Sequence, residues 1–146
     1  MNKIEHFTGE YRWLSNFWPV NIKMGKISYP SVENAYQAAK EMQFENRAKY
    51  TTCSPAEAKQ FGKKANIDKR WDKFKLLIME ELISKKFENP ELREKLLATG
   101  DSILIEGNNW GDGFWGVCNG VGENHLGRIL MRTRDKIRKE EENVNL

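Results

Sequence analysis

The sequence predicts a mostly α-helical fold with a small antiparallel β element, built as a single domain over residues 1–146. Three observations carry that expectation. Helix-start signals recur along the chain: Ser31 before Val32, Ser54-Pro55 with Glu57 completing a capping box, and Asn89-Pro90. Apolar residues then return at spacings of three to five, the period of a helix face. Extended stretches are short and lie beside glycine turns, with no alternating βαβ signal.

Taken in order, residues 12–30 read as short extended segments and turns, with a hairpin closing at Met24-Gly25-Lys26. Ser31 caps a helix from Val32 to about Gln43, and Ser54 caps a second that ends between Phe61 and Ala65. A longer helix runs from Trp71 or Asp72 to Lys86, with Phe74, Leu77, Ile78, Leu82 and Phe87 assigned to the core by spacing. Asn89-Pro90 opens a short helix carrying Leu92, Leu96 and Leu97, which stops by Gly100. Ser102–Glu106 is a strand candidate, and the sheet is expected to be mainly antiparallel. The last helix starts near Glu123 or Asn124 and buries Leu126, Ile129, Leu130 and Ile137, leaving its basic residues in water. The tail over 140–146 is expected to fray.

A chain of 146 residues is long enough to bury a core without disulfide or metal support. Five Trp and seven Phe carry much of that burial, since each large ring removes about 150–250 Å² from water. Cys53 and Cys118 are isolated and fit no secreted disulfide pattern or zinc motif, which points to reduced thiols and a cytoplasmic location. The opening residues lack a signal-peptide core, and no run approaches the roughly 20 apolar residues of a membrane span. From Arg128 to Lys139 six basic residues face one acid, Asp135. That helix reads either as a solvated face or as a landing surface for nucleic acid.

Two segments carry chemistry. In the first, Glu33, Tyr36, Gln37 and Lys40 share one side of a helix. The pair Glu33/Lys40 reads as an exposed salt bridge, or as a proton-handling carboxylate beside an amine that attacks an anomeric carbon, provided its surroundings lower its pKa. The second segment runs from Glu106 to Gly120 and places Asp112, Trp110 and Trp115 on a glycine-rich loop after a strand. Its tryptophans either stack on a planar base or close a satellite core. Its glycines do not match the GxGxxG or Walker contexts. Arg12 and Asn16 sit among aromatics, and Trp71 opens the long helix as either a stacking ring or a core ring. His6 and His125 are too isolated to suggest a metal, and no cofactor is called for.

Together these stretches resemble the NADAR family, also called YbiA-like. The resemblance rests on LSNFWP (14–19), YPSVENAYQAAK (29–40), RWD (70–72), KFENPEL (86–92), TG (99–100), WGDGFWG (110–116) and NHLGRILM (124–131), in family order. It implies a mainly helical fold that hydrolyses N-glycosidic bonds. Its members act on phosphorylated intermediates of riboflavin synthesis, or remove ADP-ribose from guanine in nucleic acid. Residue by residue, the motif carboxylate falls on Glu33, the helix lysine on Lys40, the tryptophan on Trp71 and the acid before the WG pair on Asp112. The Arg and Asn around LSNF fall on Arg12 and Asn16. Where the family commonly has His after the glutamate, this chain has Asn34, which cannot act as acid or base; with Glu33 present, the change reads as tuning.

The resulting expectation is an N-glycoside hydrolase that removes ADP-ribose from ADP-ribosylated guanine. Alternatives are an N-glycosidase of phosphorylated riboflavin intermediates and a non-catalytic ADP-ribose-binding module. Glu33, Lys40 and Asp112 are the expected catalytic groups. Arg12, Asn16, Tyr36, Gln37, Trp71, Trp110, Trp115, Asn124 and Arg128 form the expected binding set, with arginines on phosphate oxygens.

Overall fold

Capping chemistry sets most of the element boundaries. In the computed structural model, which describes residues 2–145, the chain runs β1 (Lys3–Ile4), a 3-10 helix (Gly9–Leu14), β2 (Ile22–Met24), β3 (Ile27–Tyr29), α1 (Val32–Ala39) and a second 3-10 helix (Phe44–Thr51). It continues through α2 (Pro55–Lys63), α3 (Trp71–Lys86), α4 (Pro90–Ala98), β4 (Ile103–Leu104), β5 (Gly107–Asn108), β6 (Val117–Cys118) and α5 (His125–Val144). This is the mostly helical class with a small β element that the sequence predicts. The chain divides into two compact units: residues up to Ser15 together with those from Phe87 on form the first, and Asn16–Lys86 the second. Among the described residues no helix is long and apolar enough to cross a membrane.

In the second unit, β2 and β3 pair antiparallel with Ile22 opposite Tyr29 and Met24 opposite Ile27. Gly25 takes φ +64 at the first turn position, where a side chain would be strained. The Ser54 capping box is complete: Ser54 Oγ accepts from Glu57 N–H, and the Glu57 carboxylate accepts from Ser54 N–H. α1 packs against α2, α3, the hairpin and the second 3-10 helix. Every residue from Val32 to Ala38 is therefore buried, polar ones included.

Two expectations fail here. α1 stops at Ala39 rather than near Gln43, and a 3-10 helix follows that the sequence did not announce. The cause is tertiary: Glu41 is buried, forms a bridge to Ile67, and accepts a hydrogen bond from Tyr50. On α3 the buried face is Trp71, Met79, Leu82, Ile83 and Lys86, while Phe74 and Leu77 are 39% and 68% exposed. Leu82 and Phe87 are buried as expected. Apolar residues lie on more than one face of this helix, so spacing alone chose a stripe rotated from the packed one.

In the first unit, α5 packs on β4 and α4. Leu104, Ile129 and Leu130 are fully buried there, each worth about 1.5–3 kcal/mol. Trp13 meets Phe87 edge to face at 6.3 Å. Beyond the hairpin, the other two ladders are parallel, β1 with β4 and β5 with β6, against the expectation of a mainly antiparallel sheet. Each is two residues long and is set by loop closure rather than by a strand pattern that a sequence shows.

Arg134 departs from the expected wet helix face. It is only 4% exposed, and its guanidinium donates to Thr99 Oγ1 and Ser102 O, both at 2.9 Å. Arg138 donates to Gly100 O at 2.6 Å and to Asp101 at 3.2 Å. Arg93 of α4 pairs with Glu140 and Glu141 at 3.4 and 3.1 Å. These ties hold α5 helical to Val144, where fraying was expected from residue 140. Leu146, the last residue of that tail, lies outside the described residues.

Candidate active site

A helix buried on all sides has no use for polar side chains unless they bond or react. α1 carries three: Glu33, Asn34 and Gln37. Asn34 is wholly structural. Its Oδ1 accepts from Ser31 Oγ at 2.6 Å, and its Nδ2 donates to the carbonyls of Tyr50 and Cys53, each at 2.9 Å. It ties the start of α1 to the chain leading into α2, so the amide at this position does positional work and no proton transfer.

Glu33 and Gln37 face the other way of working. Gln37 Nε2 donates to Glu33 Oε1 at 2.8 Å, and Glu33 is 8% exposed. The Glu33 backbone N–H donates to Asn16 O at 3.0 Å, which fixes the segment before the hairpin against the first turn of α1. Among the described residues, Gln37 Oε1 and Asn16 Oδ1 are buried and have no hydrogen-bond partner. Two unmatched buried acceptors are costly in a purely structural site.

One turn along α1, the Lys40 ammonium stands 5.4 Å from the centroid of the Tyr36 ring. Tyr36 in turn packs on Trp71, with ring centres 5.4 Å apart and planes tilted by 54°. Burial pushes the Lys40 pKa below the ordinary lysine range; the Glu33 carboxylate opposes that shift, and the ammonium groups of Lys75 and Lys59 add to it. An amine that gives up its proton more easily is the condition the nucleophilic reading requires.

Two residues that support this site escaped the sequence reading. Glu41, next to Lys40, accepts from Tyr50 OH at 2.6 Å and from Asn66 N–H at 3.4 Å, with Lys49 at 3.8 Å. Burial and this hydrogen bond raise the Tyr50 pKa far above the tyrosine range, so Tyr50 stays a donor. The C-terminal end of α1 is thereby clamped where Lys40 leaves it. A charged residue ending a helix normally reads as solvated, which hid it. Gly62 is the other: a Cβ there would overlap Gln37 Oε1, so only glycine lets α2 approach. A lone glycine inside a helical pattern was the available signal.

In the first unit, Asp112 organises its own loop. Its Oδ1 accepts from Phe114 N–H at 3.1 Å and Trp115 N–H at 2.9 Å, while Asn108 receives the Asp112 N–H at 3.0 Å and donates to Asp112 O at 2.8 Å. Asn124, in the left-handed region at φ 54, accepts from Glu106 N–H at 3.0 Å and donates to Leu104 O at 2.9 Å. It fastens the end of β4 to the start of α5. Trp115 and His125 flank Phe114, with centroids 4.9 and 4.5 Å from its ring. Trp110 is 60% exposed, and Arg12 and Arg128 are exposed on the first 3-10 helix and the first turn of α5.

The structure thus gathers Glu33, Tyr36, Gln37, Lys40, Asn16 and Trp71 in the second unit, and Asp112, Trp115 and Asn124 in the first. Among the described residues no three His, Cys, Asp or Glu side chains are placed to hold a metal ion.

Known proteins are similar to this chain over most of its length. The profile of the NADAR domain matches residues 4–138, across both units. An N-glycosidase of Nostoc punctiforme is 38% identical over 136 residues, covering 88% of this chain and 86% of its own. A riboflavin biosynthesis protein of Vibrio vulnificus is 33% identical over 135 residues, covering 87% of this chain but 36% of its own length. The NMR structure of the Escherichia coli protein YbiA superposes with a TM-score of 0.86 at 31% identity, over 96% of this chain and 87% of that one. With the fold of YbiA and a profile match over residues 4–138, the chain belongs to the NADAR domain family.

Proposed function

We propose that this chain is a hydrolase acting on N-glycosyl bonds, and that it cleaves the bond between a base nitrogen and the anomeric carbon of a phosphorylated ribose. The observation that carries the reading is the Glu33/Lys40 pair on buried α1, where the amine has a lowered pKa and the carboxylate is held by Gln37. When the ribose ring opens, the bond from the anomeric carbon to the ring oxygen breaks, the oxygen takes up a proton, and the carbon becomes doubly bonded to the base nitrogen. Lys40 Nζ adds to that carbon. The carbon–base bond then breaks, leaving the carbon doubly bonded to Nζ while the protons lost by Nζ pass to the base. Glu33 returns a proton to the leaving base. Water then adds to the Lys40 imine, and breaking the carbon–Nζ bond restores the amine and releases the sugar aldehyde, which recloses. Asp112, with Oδ1 engaged by two backbone N–H groups, is assigned to holding its loop.

Two substrate classes carry the required unit. The name of the Vibrio relative favours phosphorylated ribosyl intermediates of riboflavin synthesis. ADP-ribosylated guanine in nucleic acid draws support from Arg128, Arg132, Lys136 and Lys139, exposed on α5; Arg134 and Arg138 no longer add to that face. Either substrate fits the cytoplasmic location read from the sequence.

The test is parallel turnover of both substrate classes by wild type and Lys40→Ala, with borohydride trapping read by intact mass. One class should be cleaved, with a sugar adduct on wild type and none on the variant. Turnover without any adduct would replace the imine route by direct water attack, with Glu33 activating water and Lys40 as an electrostatic anchor. Tight binding of product with no cleavage of either substrate would make the protein a binding module and end the enzymatic reading.

A further inference from the structure

The apolar side chains that α3 leaves outside the core form a line of their own. Arg70, directly before the helix, is followed by Phe74, Leu77, Glu81 and Ser84 at steps of four, three, four and three, the spacing of a helix–helix seam. All five are exposed. The Arg70 guanidinium stands 5.4 Å from the centroid of the Phe74 ring, so the two share one face. Beside Leu77 a groove of about 240 Å³ opens, lined by Met24 of β2 and by Leu77, Ile78, Glu81 and Leu82. A single exposed apolar side chain is ordinary, but Phe74 and Leu77 next to an apolar groove make a contiguous patch.

The charges at the two ends of the line decide what can cover it. A second α3 laid parallel would set Arg70 against Arg70 and Glu81 against Glu81, and both contacts repel. Laid antiparallel about a twofold axis, with Phe74 of each copy level with Leu77 of the other, the same seam sets Arg70 against Glu81 at both ends. The apolar residues then stand at the centre, the ion pairs flank them, and the Phe74 ring of each copy meets the groove beside Leu77 of the other. We propose that α3 binds α3 of a second copy of this chain in that antiparallel register, making a homodimer. The pairs that Arg70 makes with Asp68 at 3.1 Å and Glu81 with Lys85 at 3.9 Å are exposed and screened by water. A guanidinium with five N–H donors can serve Asp68 and a second carboxylate together. From Arg70 to Glu81 the line is about 16 Å long, so the interface is small and its dissociation constant is expected on the order of 10–100 µM. The dimer is independent of the proposed N-glycosidase chemistry.

The test is sedimentation velocity of the full chain from about 5 to about 500 µM, a range that brackets the expected dissociation constant. Wild type should pass reversibly from monomer to dimer across it. Leu77→Glu, at an exposed position, should stay monomeric throughout and keep the wild-type Tm at the lowest concentration, where both are monomers. Arg70→Glu and Glu81→Arg should each raise the dissociation constant about tenfold, because one substitution turns two symmetry-related pairs repulsive. Combining Arg70→Glu with Glu81→Arg reverses both members of each pair and should restore most of the affinity. In a parallel dimer the same double variant would still set like charges together, so its recovery reads the orientation as well as the face. A wild type that remains monomeric at the highest concentration overturns the proposal and leaves the stripe to a partner of another kind. A dimer that survives Leu77→Glu overturns it in favour of another face, and a double variant no tighter than the single ones overturns the antiparallel pairing.

Discussion

α1 of the second unit and the junction of loop 106–118 with α5 in the first use the same vocabulary of carboxylates, amides and aromatic rings, with different results. At the junction the hydrogen bonds close on the backbone: Asn124 joins Glu106 N–H to Leu104 O, and Asp112 Oδ1 takes the N–H groups of Phe114 and Trp115. Around α1, Gln37 Nε2 donates to Glu33, while Gln37 Oε1 and Asn16 Oδ1 are buried with no hydrogen-bond partner among the described residues. Polar groups closed on backbone build shape, whereas polar groups buried with capacity left over are available to a substrate.

The sharpest way to break this contrast is to remove one carboxylate from each region. Glu33→Gln should lower kcat about 10²–10⁴-fold, the usual worth of a positioned acid–base group. Asp112→Asn keeps an oxygen for the loop, and is expected to change kcat by less than about tenfold and to act mainly on stability. Equal losses of kcat in the two variants would place Asp112 in the chemistry and erase the distinction. Steady-state kinetics on the substrate identified by the turnover assay decides it.

Next in size is Asn124. Replacing it with Ala leaves Glu106 N–H and Leu104 O without their partner and puts a side chain with no local hydrogen bond at φ 54. The expected cost is about 2–4 kcal/mol in urea unfolding, with kcat of the folded protein little changed. Asn124→Gly keeps the backbone conformation and should lose less. If the two variants instead keep wild-type stability but raise KM, Asn124 touches substrate, as the sequence first suggested.

A smaller effect is expected at the clamp beside Lys40. Glu41→Gln retains an acceptor for Tyr50 but removes the charge from a buried position, and Tyr50→Phe removes the donor. Both should lower kcat a few-fold to about tenfold with KM nearly constant, because a loosened α1 end samples the reactive amine geometry less often. A loss confined to stability, with kcat unchanged, would make the clamp purely structural.

How far the sequence reached differs between these features for physical reasons. Local chemistry was legible: the capping box at Ser54, the hairpin glycine at 25 and the helix spacing that aligns Glu33 with Lys40 all follow from neighbours in the chain. Long-range burial was not. Glu41 and Arg134 look like solvated charges until Tyr50, Thr99 and Ser102 are brought to them, and Leu77 looks like core until α3 turns another face inward. By sequence, Asp112 falls among the catalytic groups and Asn124 in the binding set; the backbone groups that both side chains engage are visible only in the fold.

The smallest effect expected is the most diagnostic of α1. Because burial lowers the folded-state pKa of Lys40, the unfolded chain binds more protons between that pKa and the ordinary lysine value, so stability rises with pH across the window. Below the window the penalty for a buried ammonium is fully present, and above it the penalty is gone. Lys40→Met should therefore be more stable than wild type at neutral pH, and the gap should close as pH rises toward the lysine range. Activity carries the same signature, since kcat rises as Lys40 loses its proton. Glu33→Gln removes the charge that opposes the shift and should move the rise of its residual activity to lower pH, while Lys75→Met should move it to higher pH. A Lys40→Met protein less stable than wild type at neutral pH would mean that this amine is a structural partner on α1, and the two regions would then differ in residue type alone.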